Sequence, residues 1–114
     1  MIAVIFEAFP TDGKRDEYFD MASRLKPELG KIEGFISIER FQSVSNPKKV
    51  LSLSFWQTEE NITQWRNLEI HRNAQGEGRN SIFSDYRIRI AGVIRDYGME
   101  DREQAPGDSR IIHR

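Results

Sequence analysis

The chain has 114 residues, a formal net charge of −1, 38% hydrophobic and 31% charged residues, and no cysteine. That length suits one domain with a single core. The interspersed charges exclude the strongly basic face that a nucleic-acid backbone requires, and the missing cysteines exclude a disulfide framework, thiolate catalysis, Fe–S clusters and cysteine-ligated zinc.

Met1 to Pro10 lacks the basic n-region and long apolar stretch of a signal peptide, and no apolar run is long enough to span a bilayer. The expectation is a cytoplasmic protein without membrane association. Ile2 to Phe9 is β-branched and aromatic and reads as a strand with apolar residues on both faces, stopped by Pro10. Thr11-Asp12-Gly13 offers capping residues for the next element. Lys14 to Leu29 is an amphipathic helix: Tyr18, Met21, Ala22, Leu25 and Leu29 repeat at three- and four-residue spacing. Pro27 inside that pattern predicts a kink or an early stop, and Gly34 sets the turn into the next strand.

Phe35 to Val44 and Lys49 to Thr58 read as strands two and three, joined at Ser45-Asn46-Pro47-Lys48. In the third, Leu51, Leu53 and Phe55 alternate with Ser52, Ser54 and Gln57. Glu59 to Asn73 is a second helix, with Thr58 as a candidate cap and Ile62, Trp65, Leu68 and Ile70 on its apolar side. Gly76 and Gly78 break it, a short turn takes in Ile82 and Phe83, and Tyr86 to Tyr97 is the fourth strand. The order β-α-β-β-α-β predicts a ferredoxin-like α+β domain over residues 1–99, followed by a polar tail over 100–114 that is either mobile or wraps a partner.

Two helices cover one face of a four-stranded sheet, yet the first and fourth strands carry apolar residues on both sides. A bare apolar face is larger than a soluble monomer tolerates, so a second copy packed face to face is expected. Arg87, Arg89 and Arg95 belong at the rim of that contact or pair across it with carboxylates such as Glu7 or Glu39.

Phe55-Trp56 on a strand, then Asn61, Trp65 and His71 on the following helix, and Ala91-Gly92-Val93-Ile94-Arg95-Asp96-Tyr97-Gly98 on the closing strand resemble the antibiotic biosynthesis monooxygenase (ABM) domain family. The resemblance covers residues 1–99 and implies a dimeric α/β barrel of two ferredoxin-like halves. Its members include cofactor-independent monooxygenases that oxidise aromatic compounds to quinones, and others that degrade haem. The quinone-forming members use an Asn and a Trp one helical turn apart. Asn61 and Trp65 match that spacing, which sets both on one helix face. An arginine of the last strand also contributes there, and Arg87 and Arg89 both fit. The haem-degrading members need an Asn on the first strand, where this chain has Glu7, and a later helical His whose matching position falls near Gln75 rather than His71.

The expected site is therefore Asn61, Trp65 and His71, with no cofactor and no metal. It would take a small aromatic or quinol-type molecule and O2, or, as the alternative, would hold a hydrophobic small molecule or haem. Each residue also has a plainer reading. Trp65 can be a core anchor, Asn61 a local hydrogen-bonding residue, and His71 a surface residue that would otherwise serve as a base near neutral pH. Glu7 is the one charge on an apolar strand, and pairing with a cation is its expected state. Gly76-Glu77-Gly78 lacks the flanking strand of a phosphate loop.

Overall fold

The computed structural model describes residues 1–67 and 82–112. Strands β1 (Ile2–Pro10), β2 (Phe35–Gln42), β3 (Val50–Trp56) and β4 (Phe83–Gly92) form one antiparallel sheet in the order β2-β3-β1-β4. Helix α1 (Arg15–Leu29) joins β1 to β2, α2 is helical over 62–67, and α3 (Gly107–Ile112) follows β4. β1 lies centrally, paired with β3 on one side and β4 on the other. This is the α+β, ferredoxin-like arrangement expected of the β-α-β-β-α-β order.

Several boundaries differ from those read in the sequence, each for a local reason. β4 starts at Phe83 and ends at Gly92, not at Tyr86 and Tyr97, because its partner β1 spans Ile2 to Pro10. Beyond Gly92 the ladder has one more bond, Val93 N–H to Met1 C=O at 3.0 Å, and then β1 is exhausted. Pro10 is the last residue of β1 rather than the stop that follows it, and the register shifts between Phe9 and Pro10, where a residue without an N–H is tolerated. α1 continues through Pro27 to Leu29; Pro27 sits in the last turn, where the carbonyl it leaves unbonded belongs to exposed Ser23. No side chain caps α1 at Lys14, whose N–H instead bonds Thr11 C=O.

The core forms two clusters on the helix side of the sheet. One joins Val4, Leu29, Ile32, Ile38, Trp56, Ile62 and Trp65; the other joins Phe6, Ala8, Tyr18, Val50, Ile82 and Phe83. β3 faces this core with Val50, Ser52, Ser54 and Trp56, all buried, while Leu51, Leu53 and Phe55 are half-buried on the helix-free face. The serines thus point inward and the leucines outward, the reverse of apolar-in patterning. Small Ser52 and Ser54 leave room for Tyr18 and the tryptophans, and Ser54 Oγ accepts the Trp56 Nε1–H at 2.9 Å.

After Gly92 the chain forms an arm with its own bonds. Gly98 N–H donates to Asp101 C=O at 2.8 Å, Asp96 N–H to Gln104 Oε1 at 2.8 Å, and Arg102 to Gly98 C=O and Ser109 Oγ at 3.0 and 2.8 Å. The Arg102 guanidinium also stacks 5.1 Å from the Tyr97 ring centroid.

Candidate functional site

The turn from α1 into β2 fixes the start of α2. Gly34 has φ +85°, and any Cβ there would collide with the Asn61 carboxamide. The Gly34 carbonyl accepts Gln57 N–H at 2.8 Å, tying this turn to the end of β3. Asn61 Oδ1 accepts Thr58 N–H at 3.2 Å and Thr58 Oγ1–H at 2.7 Å. Thr58 is therefore a donor to Asn61, not the cap of α2. The plainer reading of Asn61 holds for its oxygen, whereas its Nδ2 makes no bond to a described residue.

One turn later Trp65 enters the core, 4% exposed, its ring 6.3 Å from that of Trp56. Its anchoring role is thus in place. Its indole N–H, however, is buried and meets no acceptor among the described residues. An unbonded buried donor costs on the order of 1–3 kcal/mol, so such groups are rare where an acceptor is within reach. Trp56, in the same cluster, satisfies its own N–H on Ser54.

Along β4 the described residues leave part of the sheet uncovered on the helix side. Val4 pairs with Ile90, Phe6 with Ile88 and Ala8 with Tyr86, so these three β4 residues share the core face. They nevertheless remain 39%, 40% and 56% exposed. Tyr86 lies stacked on Phe6, with 5.5 Å between centroids. The result is an apolar strip that runs along β4 from the Phe6 cluster, where Tyr86 stacks, to Ile90 beside Val4 of the Trp65 cluster, a surface suited to a flat apolar molecule. The sequence marked β4 as apolar but could not assign this strip to a face, because that depends on register.

On the opposite face Glu7 forms ion pairs with Lys49 and Arg89. The Lys49 ammonium, hydrogen-bonded to it, holds the Glu7 carboxyl below the usual carboxylate range, and Arg89 adds to the effect. The expected pairing of Glu7 is therefore within its own chain. Arg95 goes instead to the arm, where it donates to Gln104 C=O at 3.3 Å. A concavity of about 460 Å³ opens beside Glu7, lined among others by Ile5, Phe41, Lys49 and Leu51.

His71, the third expected site residue, lies outside the described residues, as do Gln75, Gly76 and Gly78. Among the described residues no group of acidic, His or Cys side chains could hold a metal ion, and no helix is long and apolar enough to cross a membrane.

The family model for antibiotic biosynthesis monooxygenases matches residues 1–77, which take in β1 through Trp65. The chain belongs to the antibiotic biosynthesis monooxygenase family. Among curated relatives it is 43% identical over 93 residues to a protein of Pyricularia oryzae named jasmonate monooxygenase, covering 82% of this chain but 43% of that protein. It is 26% identical to the Bacillus subtilis protein YqjZ, covering 82% and 79% of the two chains. The ABM chain thus spans less than half the length of the named monooxygenase. Among solved structures, the haem-degrader MhuD of Mycobacterium tuberculosis with two haems bound matches at TM-score 0.66 and 15% identity, over 86% of this chain and 100% of that one. A conserved protein of Methanosarcina mazei matches at TM-score 0.65 and 21% identity, over 79% and 89%. At those identities the likeness is one of ABM fold.

Proposed function

We propose that this chain is a homodimeric monooxygenase that oxidises a small organic molecule with O2 and carries no cofactor of its own. The observation that carries the reading is the Trp65 indole N–H, buried in α2 with no acceptor among the described residues, in the cluster whose Val4 pairs with half-exposed Ile90 of β4. Family membership supplies the reaction class, and the relative named jasmonate monooxygenase supports it. The dimer reading rests on β3, whose Leu51, Leu53 and Phe55 face away from the helices.

In this mechanism an acidic substrate, a phenol or quinol, loses a proton to a base and passes one electron to O2. The substrate radical and superoxide then recombine to form a C–O bond; protonation gives a hydroperoxide, and loss of the proton on the same carbon breaks the O–O bond, leaving a carbonyl and releasing the second oxygen as water. Trp65 N–H donates to the developing substrate oxyanion from a dry setting, where a fixed donor acts most strongly. Asn61 Nδ2 is the second donor, its orientation held by the two bonds from Thr58 to Oδ1. His71 is the proposed base. The likeness to haem-degrading structures reaches the fold alone, so haem has no part in this reading.

Oxygen uptake tests it with two substrate classes, trihydroxylated aromatics and anthrone-type aromatics, whose acidic protons fit this mechanism. Turnover with either is expected to fall roughly 10²-fold in Trp65→Phe, with KM less affected, because the lost donor acts on charge present mainly in the transition state. Unchanged kcat in Trp65→Phe and Asn61→Ala would overturn the site. No uptake with any of these compounds would overturn the reaction.

A further inference from the structure

Two glycines among the described residues have positive φ, Gly13 at +82° and Gly34 at +85°. One precedes α1 and the other follows it, and each makes a turn that an L side chain rarely adopts. Their surroundings differ. A Cβ built on Gly13 meets nothing within 4 Å, whereas one built on Gly34 falls on the Asn61 carboxamide, against Oδ1, Cγ and Nδ2. The turn accounts for glycine at both positions. Only at Gly34 does a side chain fill the place of the missing Cβ.

The carboxamide seated there has a fixed polarity. Thr58 N–H can only donate, so the amide atom 3.2 Å from it is the oxygen, and Thr58 Oγ1–H donates to the same atom at 2.7 Å. Nδ2 is the end that Thr58 does not hold. The seat is itself tied down: Gly34 C=O accepts Gln57 N–H at 2.8 Å, and Phe35 N–H donates to Ile32 C=O at 3.2 Å. Ile32 is buried in the cluster of Trp65, and Phe35 packs against that cluster with its ring 5.2 Å from that of Trp56. One short turn, residues 32–35, thus meets both Asn61 and the surroundings of Trp65.

We propose that Gly34 is a positioning residue for the oxidation: the space of its missing Cβ seats the Asn61 carboxamide so that Nδ2 is left to donate to the substrate oxyanion. The inference rests on the reaction proposed above and adds a residue that acts only through Asn61. A half-buried Asn side chain has several staggered rotamers and a broad terminal torsion open to it. The seat and the two Thr58 bonds remove that freedom before a substrate arrives, and a donor fixed in advance stabilises developing charge without reorganising. A side chain at position 34 would push the carboxamide away by about 1 Å to reach ordinary van der Waals separation. A misplacement of about 1 Å is enough to cost on the order of 10²-fold in rate.

The second glycine supplies the control. Gly13→Ala and Gly34→Ala introduce the same backbone strain, and only Gly34→Ala displaces Asn61. In oxygen uptake with a trihydroxylated or anthrone-type substrate, Gly34→Ala is expected to lower kcat roughly 10- to 100-fold with KM nearly unchanged. Gly13→Ala should leave both parameters native, and Gly34→Ala should lower kcat no further in an Asn61→Ala background. Thr58→Val removes one bond to Oδ1 without adding bulk and should lower kcat about 3- to 10-fold, with Thr58→Ser restoring it; this pair decides the matter if Gly34→Ala does not fold. Nitrogen-15 NMR of the labelled chain needs no substrate. The Asn61 side-chain amide resonances, identified by their loss in Asn61→Ala, should shift in Gly34→Ala and Thr58→Val and stay in place in Gly13→Ala. Unmoved resonances in Gly34→Ala would overturn the seat. Shifted resonances with native kcat, or equal losses of kcat in Gly13→Ala and Gly34→Ala, would overturn the positioning role and leave the reaction standing. No oxygen uptake by the native chain would overturn the reaction and the positioning role with it, while the amide resonances still decide the seat.

Discussion

Around Phe6 the core is closed by rings. Phe83 meets Phe6 edge-on at 5.4 Å and Tyr18 at 5.2 Å. Around Trp65 the core is just as dry, yet among the described residues one of its two tryptophans has a bonded N–H and the other does not. The first cluster carries out the ordinary business of folding: apolar area removed from water in favourable ring geometry. The second does the same and also keeps a polar group in reserve, beneath a helix start clamped by Gly34, Thr58 and Asn61. On the proposed function, that is how the active site differs from plain core: it holds a group whose best partner is something other than protein.

The comparison breaks most readily at Trp56, the pivot of the second cluster and fully buried. Trp56→Ala is expected to cost about 3–5 kcal/mol by urea denaturation, as large core truncations do. A loss under about 1 kcal/mol would mean that this cluster contributes little to stability. Next in size is the clamp. Gly34→Ala places a side chain at positive φ and against the Asn61 carboxamide, for an expected loss of about 1–3 kcal/mol. In an Asn61→Ala background the collision disappears, so the same substitution should cost only about 1 kcal/mol. Strict additivity in this cycle would show that Asn61 does not hold the turn.

The two indoles sharpen the contrast at smaller scale. Trp56→Phe removes a hydrogen bond and leaves Ser54 Oγ buried without its donor, while Trp65→Phe removes a donor with no partner among the described residues. Trp56→Phe should therefore be the less stable variant, by about 1 kcal/mol, and Trp65→Phe the less active. The opposite order in stability would mean that the Trp65 N–H is satisfied in solution and is not held in reserve.

How much of this could be read from the sequence follows from which interactions are periodic. The strands, the α1 stripe of Tyr18, Ala22, Leu25 and Leu29, and the Asn61–Trp65 spacing all repeat at fixed intervals and were legible. The inverted burial of β3 was half legible. The alternation of Leu51 and Leu53 with Ser52 and Ser54 is plain, but its inward face is set by what packs on it. Three features were out of reach. The bond from Thr58 to Asn61 looks like a helix cap until the geometry is known. The unbonded state of Trp65 is a property of its neighbours. The order of the arm depends on Arg102 meeting Tyr97, Gly98 and Ser109 at irregular spacing, so a polar, Pro- and Gly-containing stretch read as a tail.

The smallest expected effect lies on the other face, at Glu7, and it separates the sheet's two sides. Glu7 has a folded pKa below its unfolded one, because Lys49 and Arg89 favour the carboxylate. Its pairing therefore stabilises the protein above the ordinary carboxylate pKa and is lost as pH falls through that value and on through the lowered folded value. Unfolding midpoints of the native chain and Glu7→Gln should differ near neutral pH and converge in acid; parallel curves would show that the pairs contribute nothing. In an isolated chain the gap stays small, since solvent screens an exposed pair. Under a second copy the same ions leave water, and losing Glu7 strands two cations at a covered surface. The gap at neutral pH should then widen as protein concentration rises through the dimer dissociation constant, because the substitution acts on association as well as on folding. A gap independent of concentration would place Glu7 outside the interface and leave the apolar residues of that face, Leu51, Leu53 and Phe55 among them, as what a partner needs to cover.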